Sequence, residues 1–297
     1  MSIIDSLPLV RGQLLIKANL SKKSWFGVGG PAEVLFIPED MHDLVCFLRN
    51  VPEEIDITIL GAISNVLIRS GGIEGVVIIL GDWFKKVYVE GNIIEVGAGV
   101  NCSHLSTVAM DSELGGLEFL MGLPGTVGGA IKMNAGCYGS EISDILVELE
   151  AVSTSGNVKW FTKNDLKFEY RKSSITDDLI ITRAWFKGVV HANYSIAKKT
   201  NSIIEKRKES QPLNKRTCGS TFKNPSGKKA WELIDSAGCR GMRMGGAIVS
   251  EKHCNFIVNE DNATADDIEN LGEKIMQKVY EHSGIQLEWE VIRLGNR

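Results

Sequence analysis

The fifteen residues Gly122-Leu-Pro-Gly-Thr-Val-Gly-Gly-Ala-Ile-Lys-Met-Asn-Ala-Gly136 hold five glycines and a proline, with apolar residues kept between them. Glycine carries no Cβ and visits positive φ cheaply, so backbone here can approach a ligand that any side chain would hold away. Successive exposed N–H groups also form concavities that suit phosphate oxygens. Leu123, Val127, Ala130, Ile131 and Met133 anchor the stretch to a core, which sets it apart from a flexible linker. Two readings carry comparable weight on these residues alone: one wall of a cofactor site, or a glycine-rich turn with a purely structural duty.

At 297 residues the chain exceeds one ordinary core, and two or three domains are expected. A net charge of −4 argues against a nucleic-acid footprint while leaving room for a local basic pocket. No apolar run approaches the roughly 18 to 20 residues that span a bilayer. Asp5 and Pro8 interrupt the N-terminal segment before a leader's apolar region can form, so the cytoplasm is the expected compartment. Six cysteines and five histidines are scattered without zinc-type spacing, and buried thiols rather than a metal site are expected.

In chain order, Gly27-Val-Gly29-x-x-Ala32 formally fits a relaxed dinucleotide fingerprint, but Pro31 and the strand-like Val34 to Ile37 deny it the required helix. A helix is predicted over Glu39 to Asn50. The strands Ile57 to Leu60 and Val66 to Ile68 enclose a small-residue loop, Gly61-Ala-Ile-Ser64-Asn65, either a second place for phosphate oxygens or a plain turn. Val87 to Glu90 and Ile93 to Val96 flank Gly91-Asn92 as a hairpin, and a helix through Leu105 and Val108 is expected to stop at Gly115-Gly116. Further strands are predicted at Leu146 to Ser153, Val158 to Phe161 and Leu179 to Phe186. A helix through Ile196 ends in Lys206-Arg-Lys208, a basic end that is a candidate anion contact and, on base rate, a solvated complement to the helix dipole. Cys218-Gly-Ser220-Thr-Phe-Lys223-Asn224-Pro225 concentrates polar chemistry without matching a nucleophile elbow or a P-loop. Helices are predicted from Ala230 to Ala237 and from Thr264, with Asp267 in a capping box, to Gly284. Leu287 to Ile292 reads as a closing strand with Glu288 and Glu290 on one face. Mixed strands and helices without strict alternation indicate an α+β architecture.

Taken together, Trp25-Phe-Gly-Val-Gly-Gly-Pro-Ala32, the Gly122 to Gly136 stretch, Tyr170-Arg-Lys-Ser173, Gly219-Ser-Thr-Phe-Lys-Asn-Pro225, Gly245-Gly-Ala247 and Leu287-Glu-Trp-Glu-Val291 resemble the UDP-N-acetylenolpyruvoylglucosamine reductase family, in order over nearly the whole chain. The uninterrupted Gly188 to Ser210 region is similar to the family's shorter form. The resemblance implies non-covalent FAD in a module of the vanillyl-alcohol-oxidase type with two subdomains, residues 1–80 and 81–205, and a C-terminal α+β domain, residues 206–297, for the UDP-sugar. It implies NADPH as reductant, UDP-N-acetylglucosamine enolpyruvate as substrate, a place in peptidoglycan synthesis and no obligate protein partner. Residue by residue, Arg171 matches the family's catalytic arginine, Ser220 its proton donor and Glu290 its catalytic glutamate. Gly61, Ser64 and Asn65 fall in one flavin-binding segment, and Gly122, Pro124, Gly125, Thr126, Gly128, Gly129, Ala135 and Gly136 in the other. Arg207, Gln211, Lys223, Asn224 and His253 are the expected substrate contacts. Two departures stand out: Ala62 and Ile63 occupy a loop that is usually richer in glycine, and Asn214 to Thr217 lacks the proline many relatives carry.

These residue types suit the implied chemistry. Hydride addition to an enolpyruvyl β-carbon leaves negative charge on the α-carbon and its carboxylate, and an arginine's planar fork of donors stabilises it. A carboxyl such as Glu290, if kept protonated by burial, would donate a hydrogen bond to the substrate carboxylate, and a serine hydroxyl can deliver the α-proton. A related flavin oxidase and a non-catalytic nucleotide-binding module remain the alternatives. Covalently attached flavin would point to the first and a colourless protein to the second.

Overall fold

The computed structural model describes residues 3–297, so Met1 and Ser2, which begin the segment read as lacking a leader, lie outside the described residues. The chain forms two compact units, each assembled from separated segments. One comprises the described residues up to 16 with 34–62 and 75–206, the other residues 17–33, 63–74 and 207–297.

The larger unit is centred on a five-stranded antiparallel sheet, in the order Val158–Thr162, Leu146–Ser153, Leu179–Lys187, Ile93–Gly97, Val87–Glu90. Alternation along the strands sends Ile94, Val96, Leu149, Ala184 and Phe186 into one core with Leu105, Leu120, Val127 and Ile131. The strand Leu146–Ser153 is covered on both faces, with Leu149 and Ala151 in this core and Val152 in a second one. A second core gathers Val34, Phe36, Val76 and Ile78 under the helix Met41–Asn50. Asp40 caps that helix, accepting from the Asp43 N–H. The Asp43 carboxylate is buried and accepts from the backbone N–H groups of Arg11, Gly12 and Glu39, fixing the chain entry.

The Gly122 to Gly136 stretch is more regular than its composition suggests. It leaves a 3₁₀ turn at Glu118–Gly122, reaches Thr126 through a bend at Gly125, φ 109, forms the helix Val127–Lys132 and ends in the short pair Gly136–Cys137 with Ser140–Glu141. Several of its glycines answer to the protein itself. A Cβ at Gly136 would lie 2.6 Å from the Ser140 carbonyl oxygen, one at Gly122 2.7 Å from Cys137 Sγ, and one at Gly128 3.1 Å from the Ala98 methyl.

In the second unit a three-stranded antiparallel sheet, Arg243–Met244, Ala247–Val249 and Ile257–Asn259, packs with the helices Ala230–Ser236 and Ala265–Ser283 around Leu233, Ile234, Ile257, Ile268, Leu271 and Ile275. The capping box of Thr264 and Asp267 and the left-handed Gly284 bound the long helix as their residue types predict. Gly272 is required where it stands, because the Trp289 ring would lie 2.2 Å from its Cβ.

Two elements differ from expectation. The helix Cys102–Asp111 stops before Gly115, with Glu113 at φ 57 turning the chain into the short strand Leu114–Gly115. The closing strand is Ile292–Leu294, paired in parallel with Val66–Ile68, whereas Leu287 to Val291 touches Phe222 through a single bridge at Trp289. The physical reason lies at Glu290 and Val291, whose N–H groups both turn to the Thr221 carbonyl, at 2.8 and 3.3 Å, and so break the ladder.

Candidate active site

In the larger unit Gly61, from one expected cofactor segment, meets the other segment at Thr126. A Cβ on Gly61 would lie 2.4 Å from Thr126 Oγ1, so the chain leaving the strand Ile57–Leu60 passes close against the N-cap of the helix Val127–Lys132. Gly61, Pro124 and Gly129 are exposed, and a Cβ at Gly129 would meet nothing nearer than Thr126 Oγ1 at 3.5 Å. This edge, with little more than backbone, the Pro124 ring and the Thr126 hydroxyl, fits the flank of a flat cofactor. The Val127 and Gly128 N–H groups are committed to the carbonyls of Val100 and Ala98, at 2.8 and 2.9 Å. They hold the loop rather than face a ligand.

Arg171 belongs to this unit, in the two-residue turn of the hairpin Phe168–Glu169 and Lys172–Ser173. It adopts φ 56 and lays its guanidinium over the Tyr170 ring, 5.0 Å from the centroid. The hairpin is tied to the end of the central stretch, for Ser173 Oγ donates to the Lys132 carbonyl at 2.6 Å and Asn134 Nδ2 to the Glu169 carbonyl at 3.1 Å.

The second unit builds its own polar cluster around Thr221. Gly219, at φ 79, turns the chain so that Ser220 is half-buried, and the next residue is pinned on two sides. The Thr221 N–H donates to the Asn255 carbonyl at 2.7 Å, its carbonyl accepts from the Glu290 N–H, and the Asn255 side chain bonds both the N–H and the carbonyl of Phe222. Asn65 completes the arrangement, its Nδ2 donating to the Glu290 carbonyl at 3.0 Å and its own carbonyl accepting from the Ile292 N–H. Ser220 and Glu290 are thus joined through one residue, and Asn65 brackets Val291.

The expected substrate contacts are more dispersed. Lys223 Nζ lies 3.4 Å from Glu288 Oε2. Asn224 Oδ1 accepts from the Ala230 N–H and thereby starts the following helix. His253 stacks edge-on to Phe256 and its Nδ1 accepts from the Asn255 N–H, which assigns its proton to Nε2. Burial pulls its pKa below the usual imidazole value, assisted by the Arg240 charge. Arg207 Nε donates to Gln211 Oε1 at 3.2 Å. Gln211 also lines a groove of about 680 Å³ with Lys208, Lys215, Arg243 and Lys252, a groove that does not include Ser220 or Glu290.

Sequence reasoning missed an ion cluster behind Glu290. The Glu269 carboxylate, 1% exposed on the long helix, takes both Nε and an Nη of Arg69 at 2.9 and 2.8 Å. Arg293 and Arg297 approach the same oxygen at 3.3 and 3.4 Å. Arg69 follows the strand Val66–Ile68 and Arg293 lies in Ile292–Leu294, so one carboxylate clamps the register of the pair that carries Asn65 and Glu290. The hydrogen-bonded Arg69 guanidinium drives the Glu269 pKa down to about 2. No local pattern announces this cluster, because Arg69 lies two hundred residues before Glu269 and even Arg293 lies 24 residues beyond it.

Residues 32–162 match the FAD binding domain, and residues 211–294 match the C-terminal domain of UDP-N-acetylenolpyruvoylglucosamine reductase. The reductase of that name from Parvibaculum lavamentivorans is 47% identical over 296 residues, covering 100% of this chain and 96% of the relative. The chain belongs to the UDP-N-acetylenolpyruvoylglucosamine reductase family. The Rickettsia prowazekii reductase is 46% identical, over 97% of this chain and 98% of its own length. Among solved structures, the Thermus caldophilus family member superposes with a TM-score of 0.84 at 33% identity, over 97% of this chain and 100% of that one. A 6-hydroxy-D-nicotine oxidase from Arthrobacter nicotinovorans, 10% identical with a TM-score of 0.56 over 94% of this chain and 88% of its own, shares the fold. The family fold is therefore the expected one, an FAD-binding module of the vanillyl-alcohol-oxidase type followed by the reductase C-terminal domain.

Proposed function

We propose that this family member is a flavoenzyme that reduces UDP-N-acetylglucosamine enolpyruvate to UDP-N-acetylmuramate with NADPH, in the cytoplasm, for peptidoglycan precursor synthesis. The observation that carries the reading is the presence, in one chain, of an FAD-binding domain and the reductase C-terminal domain, in a sequence nearly half identical to family members over its full length. FAD, when bound, supplies hydride chemistry linking NADPH to the enolpyruvyl double bond. Gly61, Gly125, Thr126 and Gly129 would hold it along that edge, with Ser64 adding a hydroxyl. The three-part division at residues 80 and 205 is proposed as the partition of cofactor and substrate duties.

The chain's own residues then answer for the charge and the proton. Arg171 is assigned to the substrate carboxylate, which it neutralises as charge builds on the α-carbon. Glu290 is assigned a hydrogen bond to the same carboxylate, and Ser220 the delivery of a proton to the α-carbon. Supporting the last two roles, Ser220 precedes the doubly bonded Thr221, whose carbonyl accepts from the Glu290 N–H. Lys223, Asn224, His253, Arg207 and Gln211 are proposed as contacts to the UDP-sugar. Rapid mixing of the purified yellow protein with NADPH, then with the UDP-sugar, tests the reading through bleaching and return of the flavin absorbance. A colourless protein, or one whose colour the enolpyruvyl substrate fails to restore, would overturn it.

A further inference from the structure

Asn134 is fully buried, at 0% exposure, and held at φ 44, a left-handed conformation that asparagine tolerates better than most residues. Its side chain joins two segments that are distant in sequence. Oδ1 accepts from the Ser143 N–H at 3.0 Å, while Nδ2 donates to the Glu169 carbonyl at 3.1 Å. Glu169 is the last residue of its strand before the Tyr170-Arg171 turn. The hairpin has only two residue pairs, Phe168 with Ser173 and Glu169 with Lys172, and a ribbon that short does not hold its own position in water. Its placement comes from docking: Phe168 packs against the large core, Lys132 Nζ donates to the Ile175 carbonyl just beyond the hairpin, and each arm carries a hydrogen-bonding anchor, Asn134 to Glu169 and the Ser173 hydroxyl to the Lys132 carbonyl. Both anchors belong to the end of the Gly122 to Gly136 stretch.

We infer that Asn134 is a positioning residue for Arg171, and that through it the stretch assigned to the cofactor also sets where the arginine is presented. The inference rests on the proposed role of Arg171. Asparagine meets the requirement because the two bonds need an acceptor and a donor on one short side chain. Aspartate keeps the shape and the acceptor but sets a second oxygen against the Glu169 carbonyl, freeing that arm of the hairpin.

The test uses the flavin-loaded protein and the two half-reactions read separately. Asn134→Asp is expected to slow reoxidation by the UDP-sugar about 10- to 100-fold, as a misplacement on the ångström scale does, with reduction by NADPH close to wild type. In an Arg171→Ala background the same change adds little, because the group it positions is gone. Asn134→Gly, which accepts the left-handed backbone and removes both side-chain bonds, gives the same pattern and guards against a folding defect peculiar to aspartate. Full additivity of the two losses, or wild-type reoxidation in Asn134→Asp beside a slow Arg171→Ala, would overturn this inference alone. Wild-type reoxidation in Arg171→Ala would overturn the role of the arginine, and the inference with it.

Discussion

Ser220 owes its fixed position to its neighbours, a left-handed Gly219 before it and the doubly anchored Thr221 after it. Its proposed duty arises only once hydride has reached the substrate. Ser220→Ala is therefore expected to leave bleaching by NADPH nearly intact and to slow reoxidation by about 10²- to 10⁴-fold, with Ser220→Cys recovering part of the loss. Stopped-flow traces check this, and equal slowing of both phases would make the serine structural. Ile63 presents the opposite situation, a β-branched residue held at φ 51 with its side chain 2% exposed. A left-handed backbone costs a residue of this type roughly 1–2 kcal/mol, while burial of the side chain returns more. Ile63→Gly relieves the strain and loses the packing, so a net loss of about 1–3 kcal/mol is expected in urea unfolding, less than deletion of an isoleucine at an unstrained site. A gain in stability would mean that strain dominates. Its presence in the chain could be read directly from the sequence as a departure from a glycine-rich loop. Its conformation could not, because neither propensity nor pattern places isoleucine at positive φ.

Elements whose signals are local were readable and elements fixed from a distance were not. The long helix announces itself through Thr264, Asp267 and Gly284, all within or next to its own span. The segment after it misleads, since the alternation from Leu287 to Val291 predicts a regular strand and only the Thr221 carbonyl, some seventy residues earlier, explains why pairing shifts to Ile292–Leu294. That segment is expected to matter for turnover. Glu290→Gln should depress reoxidation by the UDP-sugar with little effect on NADPH bleaching, and unaltered turnover would remove the residue from the mechanism. Glu269 governs the same segment through stability. Its folded pKa of about 2 lies below its ordinary value of 4.5, so its contribution is fully present above pH 4.5 and is lost as pH falls toward 2. The shift corresponds to roughly 3 kcal/mol. Glu269→Gln should lower stability near neutral pH by about 3 kcal/mol, toward the lower end for a broken buried pair because the arginines remain partly solvated, and should flatten the acid limb of the unfolding curve between pH 5 and 2. An acid limb as steep as that of the wild type would show that other carboxylates carry it.

At the scale of the whole molecule, NADPH alone is expected to bleach the flavin, because the reductive step in this scheme needs no enolpyruvyl substrate; bleaching confined to a ternary mixture would defeat the two-step reading. Acid precipitation should release all of the yellow colour, since the one cysteine of the central loop region, Cys137, directs its thiol to the Phe119 carbonyl. Colour retained in the pellet would indicate a covalent link. The fold class and most strands could be read from periodicity, but not the composition of the two units, because no composition shift marks the places where residues 17–33 and 63–74 leave the surrounding chain to pack with residues 207–297. That interleaving has a consequence during synthesis. Phe26, Val28 and Leu67 belong to a core whose other members, from Cys218 to Val291, leave the ribosome much later. At the usual elongation rates these apolar residues wait roughly ten to forty seconds for partners. The smaller unit is thus completed only well after the larger one has been synthesised, and a nascent chain stalled near residue 206 should be found with chaperones or in aggregates even though the larger unit is fully synthesised.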